Sequence, residues 1–169
     1  RHEEFSGKKI RYYDAETGES YIPYVIETSI GVDRMVLQVL SAGYQEEKLE
    51  NGEERTVLSI PAPLAPVKAA VLPLVKKDGL PEIAHRIKNT LRYDYNIQYD
   101  EKDSIGKRYR RQDAIGTPLC ITIDHQSAED GTVTVRDRDT MRQERVHIEA
   151  IPALVESKAG MRALLDKLA

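Results

Sequence analysis

The sequence predicts an α/β protein whose main body is a mixed β-sheet flanked by helices, preceded by a smaller antiparallel piece. Three observations carry this. From about residue 67 onward, strand-like and helix-like runs alternate in the order β-α-β-α-β-β-β-α, which calls for parallel and antiparallel pairing in one sheet. Earlier, two tyrosine-rich runs flank a short loop, the pattern of a hairpin. Between the two lies a polar, charged stretch, residues 45–55, with the turn signal Asn51-Gly52. The expected division is therefore a first unit over residues 1–44, a linker over 45–55 and a second domain over 56–169.

Taken in order, residues 8–13 and 19–26 read as strands, rich in tyrosine and β-branched side chains and joined by Asp14-Ala15-Glu16-Thr17-Gly18. Residues 32–40 carry apolar side chains on every side of a helical wheel (Val32, Met35, Val36, Leu37, Val39, Leu40), so this helix calls for burial nearly all round, which a fragment this small is hardly expected to provide. In the second domain, residues 67–75 form a strand, and Lys76-Lys77-Asp78-Gly79 separates it from a helix with Pro81 in its first turn. Leu80, Ile83, Ala84, Ile87 and Leu91 make the apolar stripe of that helix. A strand over 95–99, a basic helix over 105–115 and a strand over 118–124 follow; a hairpin then pairs 132–138 with 142–148, and a helix spans 154–168.

Composition limits the function classes. With 40% hydrophobic and 31% charged residues in 169, the chain is neither disordered nor collagen-like. No run approaches the roughly 20 apolar residues that span a bilayer, and no charged-then-apolar leader is visible, so a soluble intracellular protein is expected. The chain opens at Arg1 directly into structure, as a piece of something longer would. A net charge of −3 does not attract a polyanion in bulk, and nucleic-acid binding has to rest on a local basic patch. Cys120 lies in an apolar run and is expected to be a small buried hydrophobe. His2, His85, His125 and His147 lack the paired spacing of a zinc site. No Walker loop, nucleophile elbow or dinucleotide glycine fingerprint occurs.

The most informative stretch is Tyr24-Val25-Ile26-Glu27-Thr28-Ser29-Ile30-Gly31-Val32-Asp33-Arg34, read as strand, turn and helix. Gly31 removes a side chain where the backbone turns, the free amides of the following helix favour an anion, and Arg34 adds a permanent cation. A guanidinium there suits a nucleoside triphosphate, since it contacts phosphate oxygens and lies flat on an adenine ring. Glu27 can hold the ammonium of a small amino acid, with the Ser29 hydroxyl beside it. The spacing alone fits equally an internal Glu27–Arg34 ion pair.

A second constellation is Lys107, Arg108, Arg110 and Arg111, four cations within five residues, with Tyr109 among them. On a helix Lys107 shares a face with Arg110 and Arg111, and Tyr109 offers a stacking surface for an unpaired base. Arg136, Arg138, Arg142 and Arg145 extend the patch from the neighbouring hairpin. The bland reading is a solvated helix whose charges pair with Asp103, Asp113, Asp137 and Asp139.

The segment around Glu27 resembles motif 3 of class II aminoacyl-tRNA synthetases, and most closely that of the glycyl-tRNA synthetase family, which reads Glu-Pro-Ser-x-Gly-x-Asp-Arg; Thr28 stands in place of the proline. The likeness extends to Phe5-Ser6-Gly7-Lys8, Lys77-Asp78-Gly79-Leu80, Ser104-Ile105-Gly106-Lys107-Arg108-Tyr109-Arg110-Arg111-Gln112-Asp113 and Val135-Arg136-Asp137-Arg138-Asp139-Thr140-Met141. These later runs are similar to that family's anticodon-binding domain. The resemblance implies that residues 1–44 are the end of an antiparallel catalytic sheet. It assigns Glu27, Thr28, Ser29, Ile30 and Gly31 to glycine, and Gly31, Val32, Asp33 and Arg34 to ATP, with Arg34 as the catalytic residue. Lys107, Arg108, Tyr109, Arg110, Arg111, Arg136 and Arg138 are assigned to tRNA.

The complete protein is then expected to be a cytoplasmic homodimer that uses ATP with Mg²⁺, and no zinc, to attach glycine to tRNA(Gly). The other class II motifs are not visible, so the chain alone is expected to be inactive. Rival readings are a threonyl, prolyl or histidyl synthetase, a non-catalytic tRNA-binding module and a protein-interaction module.

Overall fold

The computed structural model describes residues 1–49 and 52–166. Asn51 of the expected turn and residues 167–168 of the expected 154–168 helix lie outside them. The chain divides into two compact units, residues 1–35 and 36–169.

The first unit is sparsely ordered. Helix α1 (His2–Ser6) ends at Gly7 in the left-handed region, and β1 (Tyr12–Tyr13) pairs antiparallel with β2 (Ser20–Tyr21), Tyr12 opposite Tyr21. The hairpin is thus where the sequence put it but only two residues per strand, and the Tyr12 and Tyr21 rings meet edge to face at 5.8 Å. Residues 22–30 adopt no regular element. The expected strand before Glu27 therefore does not form, because no neighbouring strand completes its backbone hydrogen bonds.

Helix α2 (Val32–Gly43) begins in the first unit and continues into the second. Its apolar side chains Val32, Met35, Val36, Leu37 and Leu40 are all exposed, without the cover that its apolar wheel calls for. In the second unit, β3 (Tyr44–Lys48) and β4 (Glu54–Leu58) form an antiparallel hairpin across the segment expected to be a linker. Burial explains the difference, since Arg55 and Val57, two apart on β4 and so on one face, are 1% exposed each.

The remainder is the mixed sheet that the element order demands. Strand β5 (Ala69–Pro73) leads through α3 (Leu80–Leu91) to β6 (Ile97–Tyr99), then α4 (Ile105–Ala114) to β7 (Leu119–Ile123). After α5 (His125–Asp130) come β8 (Thr132–Asp137), β9 (Gln143–His147), α6 (Ile151–Ala159) and α7 (Met161–Leu165). The sheet order is β6-β5-β7-β8-β9, with β6, β5 and β7 parallel and β7, β8 and β9 antiparallel.

Strands β5 and β7 are buried at every position, which is why both read as continuous apolar runs. One face, with Val71, Ile121, Ile123, Val133 and Val135, packs on Leu80, Ala84, Ile87 and Leu91 of α3 and on Ile151 and Val155 of α6. Each fully buried Leu or Ile there contributes about 1.5–3 kcal/mol. The other face, with Ala70, Leu72 and Cys120, lies under Ile105 and Tyr109 of α4. Burial pushes the Cys120 thiol up to about 12, so it remains protonated and unreactive.

Two features escaped the sequence. The expected single helix over 154–168 breaks at Gly160, where a Cβ would come within 2.5 Å of the Glu156 carbonyl oxygen. Helix α5 is set by a reciprocal cap, in which Asp124 accepts from the Ser127 amide at 3.0 Å and the Asp124 amide donates to Ser127 Oγ. Asp124 also holds Arg145 of β9 at 2.7 and 2.8 Å. That pair, with the Ser127 bonds, lowers the Asp124 carboxyl to about 2. A depressed folded-state pKa stabilises above the unfolded value and is lost as pH falls through the folded one. Asp124→Ala is therefore expected to cost about 1–2 kcal/mol at pH 7, and the gap between wild type and variant in urea melts should close as pH falls from about 4 to about 2.

Candidate nucleic-acid interface

Helix α4 decides which of the candidate basic side chains face outward. Ile105, Arg108, Tyr109, Gln112 and Asp113 recur at helical spacing and form the inner face; Lys107, Arg110 and Arg111 fall outside. Lys107 and Arg111 are exposed and Arg110 half-buried, whereas Arg108 is 2% exposed. Its guanidinium donates to the carbonyls of Pro73 at 2.6 Å, Asp100 at 3.2 Å and Leu74 at 3.3 Å. Arg108 is therefore a core residue and not part of a surface patch.

Arg138 is likewise withdrawn from the expected RNA contacts, at 2% exposure. It donates to the carbonyls of Gly116 and Ile60, each at 2.8 Å, and to Asp139. The same corner requires Gly116, at φ 82°, where a Cβ would lie 2.9 Å from the Leu58 carbonyl oxygen. Arg136, 4% exposed, is held by a bidentate pair to the fully buried Asp113 at 2.8 and 3.0 Å. Burial, with donation to the surrounding carbonyls and for Arg138 to Asp139 as well, keeps Arg108 and Arg138 out of reach of a phosphate. The pairing of Arg136 with Asp113, of Arg138 with Asp139 and of Arg111 with Asp100 and Asp103 matches the bland reading of the charge run.

What remains is a cleft of about 700 Å³. Lys107, Tyr109 and Arg110 of α4 line one side, Glu53 and Glu54 of the β3–β4 hairpin another, and Arg136, Met141 and Gln143 belong to the β8–β9 side. The Tyr109 ring lies against the Arg136 guanidinium, 4.9 Å from its centroid, and the phenol hydroxyl meets Thr122 Oγ1 at 2.6 Å. Burial keeps the Tyr109 phenol above its ordinary pKa, so it is neutral. Arg110 at the rim pairs with Glu53 at 3.3 Å, which leaves Lys107 as the exposed cation beside a fixed ring, a combination suited to a nucleotide phosphate with its base nearby. Arg142 and Arg145 are exposed, but Arg145 is committed to Asp124.

The sequence missed Glu53, Glu54, Met141 and Gln143 as lining residues. Met141, at φ 56°, and Gln143 are set by the turn between β8 and β9, which no spacing rule anticipates. Arg55, which donates to Asp113 at 2.9 Å and to Glu47 at 2.8 Å, was also missed, because it fell at the end of the expected linker; only with β4 in place does Val57 two residues on mark its face as inward.

In the first unit, Glu27, Thr28, Ser29, Ile30, Gly31, Val32, Asp33 and Arg34 are all exposed. The Gly31 carbonyl accepts from the Met35 amide at 3.1 Å, opening α2, and a Cβ at Gly31 would meet only the Arg34 stem at 3.9 Å. Among the described residues no ion pair joins Glu27 to Arg34.

Residues 68–158 match the family described as anticodon binding domain. The chain belongs to that family. Around this anticodon-binding domain, the chain is similar to a glycine–tRNA ligase of Geobacillus kaustophilus strain HTA426, 55% identical over 158 residues, which are 94% of this chain and 34% of the relative. It thus spans about a third of the length of the curated relatives it matches. The fold is similar to the RNA binding domain of threonyl-tRNA synthetase from Cryptosporidium parvum Iowa II, with a TM-score of 0.54 and 25% identity over 60% of this chain and 26% of that one. A prolyl-tRNA synthetase from Cryptosporidium parvum, 20% identical with a TM-score of 0.55 over 72% of this chain and 33% of its own, shares the fold. Among the described residues no helix is long and apolar enough to cross a membrane.

Proposed function

We propose that this chain is the carboxy-terminal part of a glycyl-tRNA synthetase, in which residues 1–44 end the catalytic domain and the second unit binds the anticodon loop of tRNA(Gly). The observation that carries the RNA reading is the cleft beside α4, where Lys107 and Arg110 flank the Tyr109 ring. Lys107, Tyr109 and Arg110 are the tRNA contacts of this reading; Arg111, outside the cleft and paired with Asp100 and Asp103, would join them only by exchanging those pairs for a phosphate, and Arg108 and Arg138 are left out of it. That the similar proteins are glycine–tRNA ligases supports glycine as the amino acid.

In the complete, cytoplasmic and dimeric enzyme, Glu27 would hold the glycine ammonium with Ser29 beside it. Thr28, Ile30 and Gly31 would shape the small pocket, and Gly31 to Arg34 would contact ATP presented with Mg²⁺. Exposure of this whole segment is consistent with the reading, since it leaves these side chains accessible to substrates. Activation of this kind rests on positioning and charge neutralisation rather than on a covalent nucleophile.

The test of the RNA reading is a titration of the chain with an anticodon stem-loop of tRNA(Gly). Lys107→Ala and Arg110→Ala should each weaken binding and reduce the slope of log K against log salt by about one. Unaltered slopes in both variants would remove the cleft from the proposal.

A further inference from the structure

The cleft has a buried foundation that its lining does not reveal. Asp113 is 0% exposed, and its two carboxylate oxygens take Arg136 Nη1 at 2.8 Å, Arg136 Nη2 at 3.0 Å and Arg55 Nε at 2.9 Å. Arg55 continues to Glu47 of β3 at 2.8 Å and to the Arg138 carbonyl. One carboxylate on α4 thereby ties the β3–β4 hairpin through Arg55, and strand β8 through Arg136, to the helix that carries Lys107, Tyr109 and Arg110. These elements supply the walls and floor of the same cleft.

We infer that Asp113 is a positioning residue for RNA binding, which fixes Arg136 against the Tyr109 ring and the hairpin opposite it before any nucleic acid arrives. The inference rests on the RNA reading of the cleft given above. Its physical ground is that a buried ion network adds little net stability over a well-packed apolar core of the same volume, because desolvation offsets the attraction. What such a network does supply is direction, since a bidentate carboxylate admits one orientation of a planar guanidinium. Arg136 so held offers its flat face to Tyr109 at 4.9 Å, and Tyr109 is pinned at its far end by Thr122. Binding then does not bear the entropy of ordering the ring.

The experiment compares Arg136→Lys and Asp113→Asn with wild type in the full chain, by thermal melts, by NMR of the Tyr109 ring and by titration with the stem-loop at several salt concentrations. Arg136→Lys keeps a cation beside Asp113 but loses the fork and the flat face. It is expected to stay folded, to loosen the Tyr109 ring and to bind about tenfold more weakly with an unaltered salt slope, because no phosphate contact is removed. Asp113→Asn should act in the same way. If Asp113→Asn fails to fold, Arg136→Lys alone decides. Wild-type affinity in a folded Arg136→Lys chain overturns the inference while leaving the RNA reading intact; a wild-type chain that ignores the stem-loop sinks that reading, and the inference with it. A salt slope reduced by about one would make Arg136 a phosphate contact and also overturn the positioning role.

Discussion

Removing the Arg34 guanidinium from the complete synthetase is expected to slow glycine-dependent ATP–pyrophosphate exchange by about 10²–10³-fold, the loss typical of one preorganised donor aimed at developing charge. The expectation follows from the proposed site. Arg34 lies in the first turn of α2, its stem folds against Gly31, and its side chain is exposed. A guanidinium there can reach phosphate and stack on a base at once, which lysine cannot do. Arg34→Lys should therefore recover little of the rate. Glu27→Gln should instead raise the KM for glycine by about 10–100-fold, the value of one hydrogen bond to a charged group, with a smaller effect on kcat. Exchange that survives Arg34→Ala within a factor of three would contradict the assignment. The present chain alone, lacking the rest of the relatives' length, is expected to give no exchange at all.

The parts of the fold that sequence revealed are those where one periodicity dominates. The stripe of α3, the doubly buried β5 and β7 and the β8–β9 hairpin all follow from apolar spacing, and the structure has each of them within two or three residues of its expected ends. Helix α4 shows where spacing was present but misread. Arg108 and Gln112 sit with Ile105 and Tyr109 on one face, and that pattern alone marks Arg108 as inward; four adjacent cations drew attention to charge instead. Asp113, Arg136 and Arg138 were hidden for a different reason. Their burial depends on pairing between segments 23 or more residues apart, such as Arg136 with Asp113 and Arg138 with Ile60, and no local rule carries it. The exposed run through α2 was legible in part: an apolar helix announces that it needs a cover, and so small a fragment was not expected to supply one.

Arg108 supplies the sharpest separation between a structural and a nucleic-acid role. Strands β5 and β6 end their parallel ladder at Val71 opposite Tyr99, and just beyond it lie the carbonyls of Pro73, Leu74 and Asp100. The Arg108 fork meets them with three donations, while its Nε has no partner, a cost accepted for the sake of the other contacts. Arg108→Met keeps the length and the apolar stem but removes every donor, leaving three buried or half-buried carbonyls without a charged partner. At about 1.5–3 kcal/mol for each hydrogen bond to a charged group, partly recovered by relaxation and water, the expected loss is about 3–5 kcal/mol. For a unit of this size that lowers Tm by more than about 10 °C. Arg111→Met, three residues further on and exposed, removes two surface ion pairs to Asp100 and Asp103 and should shift stability by no more than about 1 kcal/mol. Below the melting point the order reverses for RNA: folded Arg108→Met should bind the stem-loop with a normal salt slope, and Arg111→Met with a shallower one. Equal Tm values for the two variants would mean that the carbonyl ends of β5 and β6 do not depend on the helix packed beside them.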